Sequence, residues 1–140
     1  MSFREKSAWL MAISLGLASI MYAVIVASMS RATGFLVPPL LPFAVVFTLV
    51  LAVMGTVGHI FIALLAPKDA LAAIDERDRA IGVRARAWSS YVFATGVALA
   101  LGHYLMVRNG DVLFYGVFSS WVLAQIGEYA FEIVFYRRTI

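Results

Sequence analysis

The chain has 140 residues, of which 63% are hydrophobic and only 14% are charged. A soluble domain averages about 45–50% apolar and about 25% charged residues, so this composition excludes an ordinary soluble domain. The chain has no cysteine, which excludes disulfides, thiolate metal sites and cysteine nucleophiles.

Four long apolar stretches occupy most of the chain, at residues 8–29, 40–66, 88–107 and 112–136. Each supplies the roughly 20 residues that a helix needs to cross about 30 Å of hydrocarbon. The sequence therefore predicts an all-α membrane protein with four transmembrane helices in a single domain, residues 1–140. The first stretch is longer than the roughly 7–15 apolar residues of a signal peptide, so we expect it to be a mature helix.

Small residues recur on one side of each of the first two spans. In span one they are Ser14, Ala18 and Ser19, beside Tyr22; in span two they are Ala52, Gly55, Thr56, Ala63 and Ala66, beside His59. In lipid, small residues allow two helices to approach closely. We therefore expect spans one and two to form a tightly packed antiparallel hairpin.

The central loop, residues 68–87, reads KDALAAIDERDRAIGVRARA. Asp69 is a suitable N-cap, and apolar residues recur at three- and four-residue spacing. Asp75 and Arg79 can pair one turn apart. The pattern predicts a short interfacial helix that Gly82 breaks before span three. Its charged run is either a solvated, self-paired face or a docking surface for a partner, formed by Asp75, Glu76, Arg77, Asp78 and Arg79.

Span three carries Tyr91, Thr95, Ala98 and Gly102 on one side and ends near His103. The residues 108–111, Arg-Asn-Gly-Asp, follow it directly, and Asn-Gly is a strong turn signal. Spans three and four are therefore predicted to form a second antiparallel hairpin.

Basic residues are distributed unevenly between the two sides of the predicted spans. Of the 11 Lys and Arg residues, only Arg31 and Arg108 fall in the two outer loops. By the positive-inside rule both termini and the central loop face the cytoplasm. The basic balance indicates orientation and contact with anionic headgroups, and we expect no nucleic-acid partner because no nucleic-acid-binding motif is present.

Polar residues follow helical spacing inside span four, at Trp121, Gln125, Glu128 and Glu132. A carboxylate near a helix centre costs roughly 2–3 kcal/mol or more, so this stripe is expected to face away from lipid. By helical rise Glu128 lies roughly 13 Å inside the cytoplasmic end of span four, and His59 lies roughly 12 Å inside the same end of span two. A contact between His59 and Glu128 is therefore possible, within one bundle or across a dimer.

Two interpretations of this polar stripe stay open. Glu128 and Glu132, with His59 and Gln125, are candidates for binding a proton or a cation. Alternatively they are a polar clamp that fixes helix register. With two histidines in opposite halves of the membrane and no thiolate, we expect no metal or other cofactor. No nucleophile elbow, phosphate-binding loop or zinc-protease motif occurs, so we expect neither catalytic residues nor enzymatic activity.

The run at residues 75–81 (DERDRAI), two further arginines, an aromatic start to span three and the terminal Tyr-Arg-Arg at 136–138 resemble a group of small bacterial membrane proteins. That group has several helices, a D-E-R-D/E-x-x-I loop and a closing Y-R-R. The resemblance covers about residues 70–140. It implies a location in the bacterial inner membrane and a functional role for the loop, and it implies no activity.

These observations favour a non-enzymatic inner-membrane protein that acts by association. It would be an accessory or regulatory subunit of a membrane complex, or a small homo-oligomer, with the lipid bilayer and another membrane protein or itself as partners. The alternative is a small proton- or cation-coupled transporter that uses Glu128 and Glu132 as coupling carboxylates. A third possibility, a haem- or quinone-linked subunit, rests only on His59 and the aromatic residues.

Overall fold

The computed structural model describes residues 3–65, 67 and 75–138. These residues form four helices: α1 (Phe3–Thr33), α2 (Leu41–Leu65), α3 (Glu76–Val107) and α4 (Gly110–Arg138). By length and composition, α1, α2 and α3 could each cross a membrane. The predicted all-α membrane fold is confirmed. α4 has 29 residues but is not among these three, because polar residues interrupt its apolar stretch, so the fourth crossing stays a prediction.

Small residues bring α3 and α4 into close antiparallel contact. A Cβ atom on Gly96 would lie 2.6 Å from Ser120 Cβ, and one on Gly116 would lie 2.9 Å from Ala100 Cβ. Ser89, which is buried, donates a hydrogen bond from Oγ to the carbonyl oxygen of Ala124 at 2.8 Å. These contacts fix the position of α3 along α4.

The helix α1 packs between α2 and α4, so the packing order is α2, α1, α4, α3. An aromatic cluster joins the first three: the ring centroid of Tyr22 lies 5.7 Å from that of Phe47 and 5.1 Å from that of Phe118. Ser14 and Ala18 are also buried on α1, which confirms the predicted contact face of span one.

The contact between α1 and α2 is closest at two glycines of α2. A Cβ atom on Gly55 would lie 3.5 Å from the sulfur of Met11, and one on Gly58 would overlap the side chain of Leu10. The predicted contact face of span two is therefore only partly correct. Two of its predicted members, Ala52 and Thr56, are exposed on α2.

The turn between α3 and α4 is as short as predicted, and its left-handed residue is Arg108. Arg108 has a φ of 57° and donates its backbone N–H to the carbonyl oxygen of Tyr104. Asn109 then caps α4, because its Oδ1 accepts hydrogen bonds from the backbone N–H groups of Asp111 at 3.0 Å and Val112 at 3.1 Å.

The described part of the central loop differs from the prediction. Residues 76–87 form the first turns of α3, which continues without a break through Gly82 to Val107. The prediction of a separate short helix that Gly82 ends is wrong here, because one glycine costs a helix only about 1 kcal/mol. The rest of the predicted loop helix, residues 68–74 with the proposed cap Asp69, lies outside the described residues.

Replacement of Gly96 by alanine tests the close α3–α4 contact. The new methyl group would meet Ser120 Cβ at 2.6 Å and Cα at 3.4 Å, so the two helices must separate. We expect Gly96→Ala to lower the free energy of unfolding in detergent by about 1–3 kcal/mol. Gly16→Ala is the control, because a Cβ atom there meets nothing within 4 Å. Equal stability of the two variants would contradict the packing described.

Candidate functional site

Three ion pairs between helices lie at one end of the bundle, which we call the charged end. Arg4 Nε of α1 lies 3.1 Å from Asp78 Oδ2 of α3. The other two pairs are Arg86 with Glu128, at 3.3 Å, and Arg137 with Glu5, at 3.4 Å. Together they connect the first turns of α1, the first turns of α3 and the last turns of α4.

Asp78 of α3 is the centre of this cluster, because its side chain contacts both α1 and α4. Its Oδ2 pairs with Arg4 of α1, and its Oδ1 accepts a hydrogen bond of 2.9 Å from the hydroxyl group of Tyr136 on α4. Only 20% of its side chain is exposed, against 40% for Arg4. A half-buried carboxylate with two partners joins α1 to α3, which both lie against α4.

Glu128 and Arg86 form the pair that lies farthest from the ends of its helices. The carboxylate side chain is 18% exposed, whereas the arginine side chain is 73% exposed. The arginine therefore reaches over the carboxylate from the solvent or lipid side. This pairing favours the clamp interpretation of Glu128.

Glu132 differs from Glu128 although the two lie one helical turn apart. It is half-buried, and in the described part of the chain no group lies within hydrogen-bonding or ion-pair distance of its carboxylate. The charged groups that act on its carboxylate are the cations Arg86 and Arg4, which attract it, and the anion Glu128, which repels it. Among the described residues, Glu128 of the two glutamates has an ion-pair partner and Glu132 does not.

His59 does not contact Glu128 within this chain, so the pair considered from the sequence is not formed. Its Nδ1 lies 2.7 Å from the carbonyl oxygen of Gly55, and because a carbonyl can only accept, Nδ1 carries a hydrogen. In the neutral ring, Nε2 then accepts a hydrogen bond of 2.6 Å from Ser7 Oγ. His59 therefore ties α2 to the first turns of α1.

The predicted polar stripe on α4 divides into two parts. Gln125 is half-buried, as are both glutamates, but Trp121 is 43% exposed, so within this chain it does not face the bundle, and its contact with a partner stays a prediction. Trp121 lines an apolar groove of about 340 Å³ on the half of α4 that is far from the charged end. The other lining residues are Phe93, Phe114, Val117 and Phe118.

The register of α3 against α4 shows which residues of α3 lie beside the two glutamates. Arg86 is level with Glu128, and a Cβ atom on Gly82 would lie 3.8 Å from Glu132 Oε1. Both carboxylates therefore lie beside the arginine-rich turns that precede span three. The depth of the two glutamates in a membrane stays a prediction.

The five candidate docking residues at the start of α3 have different roles. Asp75 is the N-cap, since its Oδ1 accepts a hydrogen bond of 2.6 Å from the backbone N–H of Asp78, and it does not form the predicted pair with Arg79. Asp78 is committed to the cluster. The other four members, Asp75, Glu76, Arg77 and Arg79, are exposed.

Sequence reasoning missed the partners that complete the cluster. Arg4, Ser7 and Tyr136 each bond to a residue at least 52 positions away, and no local signal connects them. Within residues 3–65, 67 and 75–138, no group of three His, Cys, Asp or Glu side chains could hold a metal ion. His103 is exposed.

Comparison with known proteins returns no relative. No family model matches the chain, and no curated protein or solved structure matches it either. The resemblance of residues 70–140 to small bacterial membrane proteins therefore stays a prediction.

Replacing each glutamate in turn by glutamine tests whether its charge stabilises the bundle. Glu128→Gln removes the charge paired with Arg86, so we expect the free energy of unfolding in detergent to fall by up to about 1 kcal/mol, the usual limit for a pair with one exposed partner. The loss should vanish in about 1 M salt, where the Debye length is about 3 Å. Glu132→Gln is the matched control, for which we expect no loss. The reverse order of the two variants would contradict this assignment.

Proposed function

We propose that this chain is a non-enzymatic integral membrane protein that acts by association. It would serve as an accessory or regulatory subunit of a membrane complex, or assemble with copies of itself. The partner surface would lie on the membrane-spanning faces of α2 and α3, and the exposed first turn of α3 would add a polar contact outside the membrane.

The observation that carries the proposal is an exposed set of small and polar residues on these two helices. Thr95, Ala98 and Gly102 on α3, and Ala52 and Thr56 on α2, lie outside the contacts within the chain. Such residues favour close helix–helix contact in lipid, where a purely lipid-facing surface needs only apolar side chains. Their positions support contact with a helix of another molecule.

The charged end supports the same proposal. Glu5, Asp78 and Glu128 are each joined to an arginine of another helix, so these charges stabilise the bundle. Interhelical ion pairs of this kind fix which helices meet and at what level. A rigid bundle with mutually neutralised charges is suited to a structural or regulatory subunit.

The location and orientation belong to this proposal too. We propose that the protein lies in a bacterial inner membrane with the charged end in the cytoplasm. The uneven distribution of basic residues supports the orientation, since Arg31 and Arg108 alone lie at the other end. The resemblance of residues 70–140 supports the bacterial location.

The direct test is the mass of the intact assembly, measured after extraction from its native membrane into lipid nanodiscs. We expect either a stoichiometric foreign membrane subunit or a defined homo-oligomer, and Gly102→Leu should disrupt it. Gly16→Leu is the matched control, because a Cβ atom at either glycine meets nothing within 4 Å of this chain. A monomer, or equal loss of assembly in both variants, would contradict association through α3.

One observation favours a second function, proton- or cation-coupled transport. Glu132 is a half-buried carboxylate without a direct partner in the described residues, next to a second carboxylate. In this reading, purified protein in liposomes carries a proton or cation flux that Glu132→Gln abolishes. Association requires no flux, so a flux that Glu132→Gln removes while the assembly mass is unchanged would establish transport instead.

A further inference from the structure

Residues of α3 and α4 form a basic and aromatic surface. We call it the basic–aromatic face; it consists of Arg84, Trp88, Tyr91, Phe131 and Phe135. The guanidinium carbon of Arg84 lies 4.9 Å from the ring centroid of Phe135. The rings then continue from Phe135 to Phe131 at 6.2 Å, to Trp88 at 6.1 Å and to Tyr91 at 6.3 Å.

Arg84 differs from the arginines of the charged cluster in its partners. Arg4, Arg86 and Arg137 each pair with a carboxylate, whereas Arg84 has none within ion-pair distance in the part of the chain that the structure describes. It is exposed, and its guanidinium group lies over the Phe135 ring. Stacking on a ring orients the guanidinium group and leaves its N–H donors directed outward.

The face spans the point where α3 changes from charged to apolar. Four arginines of α3 precede Trp88, and no charged residue follows Trp88 until Arg108. Trp88 is 51% exposed and Tyr91 is 69% exposed. Exposed Trp and Tyr at such a boundary are typical of the headgroup level of a bilayer, and the apolar surface beyond them would contact acyl chains.

We propose that the basic–aromatic face binds one anionic phospholipid. The Arg84 guanidinium receives the phosphate, for which its planar donor set is suited, and the Trp88 indole lies against the glycerol region. An acyl chain follows the exposed side of α3 past Tyr91. A zwitterionic lipid binds less well, because its own ammonium group offsets the charge that Arg84 recognises.

The test uses the fluorescence of Trp88 in the full chain, reconstituted in phosphatidylcholine bilayers. Trp9 and Trp121 are first replaced by phenylalanine, since both are partly exposed and the ring is retained. Equal small fractions of phosphatidylglycerol or phosphatidylcholine with brominated acyl chains then quench the remaining tryptophan. We expect stronger quenching by phosphatidylglycerol, and Arg84→Gln should lower this preference about fivefold.

Arg79→Gln is the matched control for the test. Arg79 is an exposed arginine of the same helix, about 140° around its axis from Arg84, and it also lacks an ion pair among the described residues. The proposal requires that Arg79→Gln keep the preference for phosphatidylglycerol. Equal quenching by both lipids, or equal loss of preference in the two arginine variants, would overturn it.

A competition experiment separates a lipid site from a site for free phosphate. Inorganic phosphate is added to the wild-type sample, with sodium chloride at the same ionic strength as the comparison. We expect the two salts to have the same effect on quenching. Selective loss of the preference with phosphate would show that the face binds a free anion, which would also overturn the proposal.

Discussion

The close packing of α3 against α4 determines the level at which every charged residue of these helices meets its neighbour. Gly96 admits Ser120, and Gly116 admits Ala100, so the two helices cannot slide without a collision of backbone and side chain. In this register Arg86 lies opposite Glu128. One interface of small residues thus sets the geometry of the charged end.

The charged end in turn holds α1 in place. Asp78 accepts bonds from Arg4 of α1 and Tyr136 of α4, and Glu5 of α1 pairs with Arg137. Each ion pair alone contributes little where a partner is exposed. Their value lies in specificity, because a shift by one turn would leave a half-buried carboxylate without its cation, which costs more than the pair contributes.

The sequence predicts the helices well and their mutual register poorly. Apolar length alone identifies four helices, and small residues identify the contact face of α1. The register depends on contacts between distant positions, so the sequence alone does not show that, within this chain, His59 contacts Ser7 and not Glu128, or that Trp121 is exposed. The continuation of α3 through Gly82 was also missed, since the packing of α4 against this segment outweighs the weak local signal of one glycine.

The candidate site shows the same limit. The sequence correctly selects Glu128 and Glu132 as unusual, but it treats them as a pair with one role. The structure separates them, because only Glu128 has an arginine partner. Their difference arises from α3. Arg86 of this helix pairs with Glu128, whereas the residue beside Glu132 is Gly82, which has no side chain. Arg84 lies on the side of α3 opposite to Arg86, and its guanidinium group stacks on the Phe135 ring.

The central claim is that Asp78 joins α1 to α3 through Arg4, and a double-mutant cycle tests it most directly. The free energy of unfolding in detergent is measured for wild type, Arg4→Gln, Asp78→Asn and the double variant. The account predicts a coupling of about 0.5–1 kcal/mol that disappears at high salt. Additive effects within about 0.3 kcal/mol would show that the two residues act independently and would contradict the account.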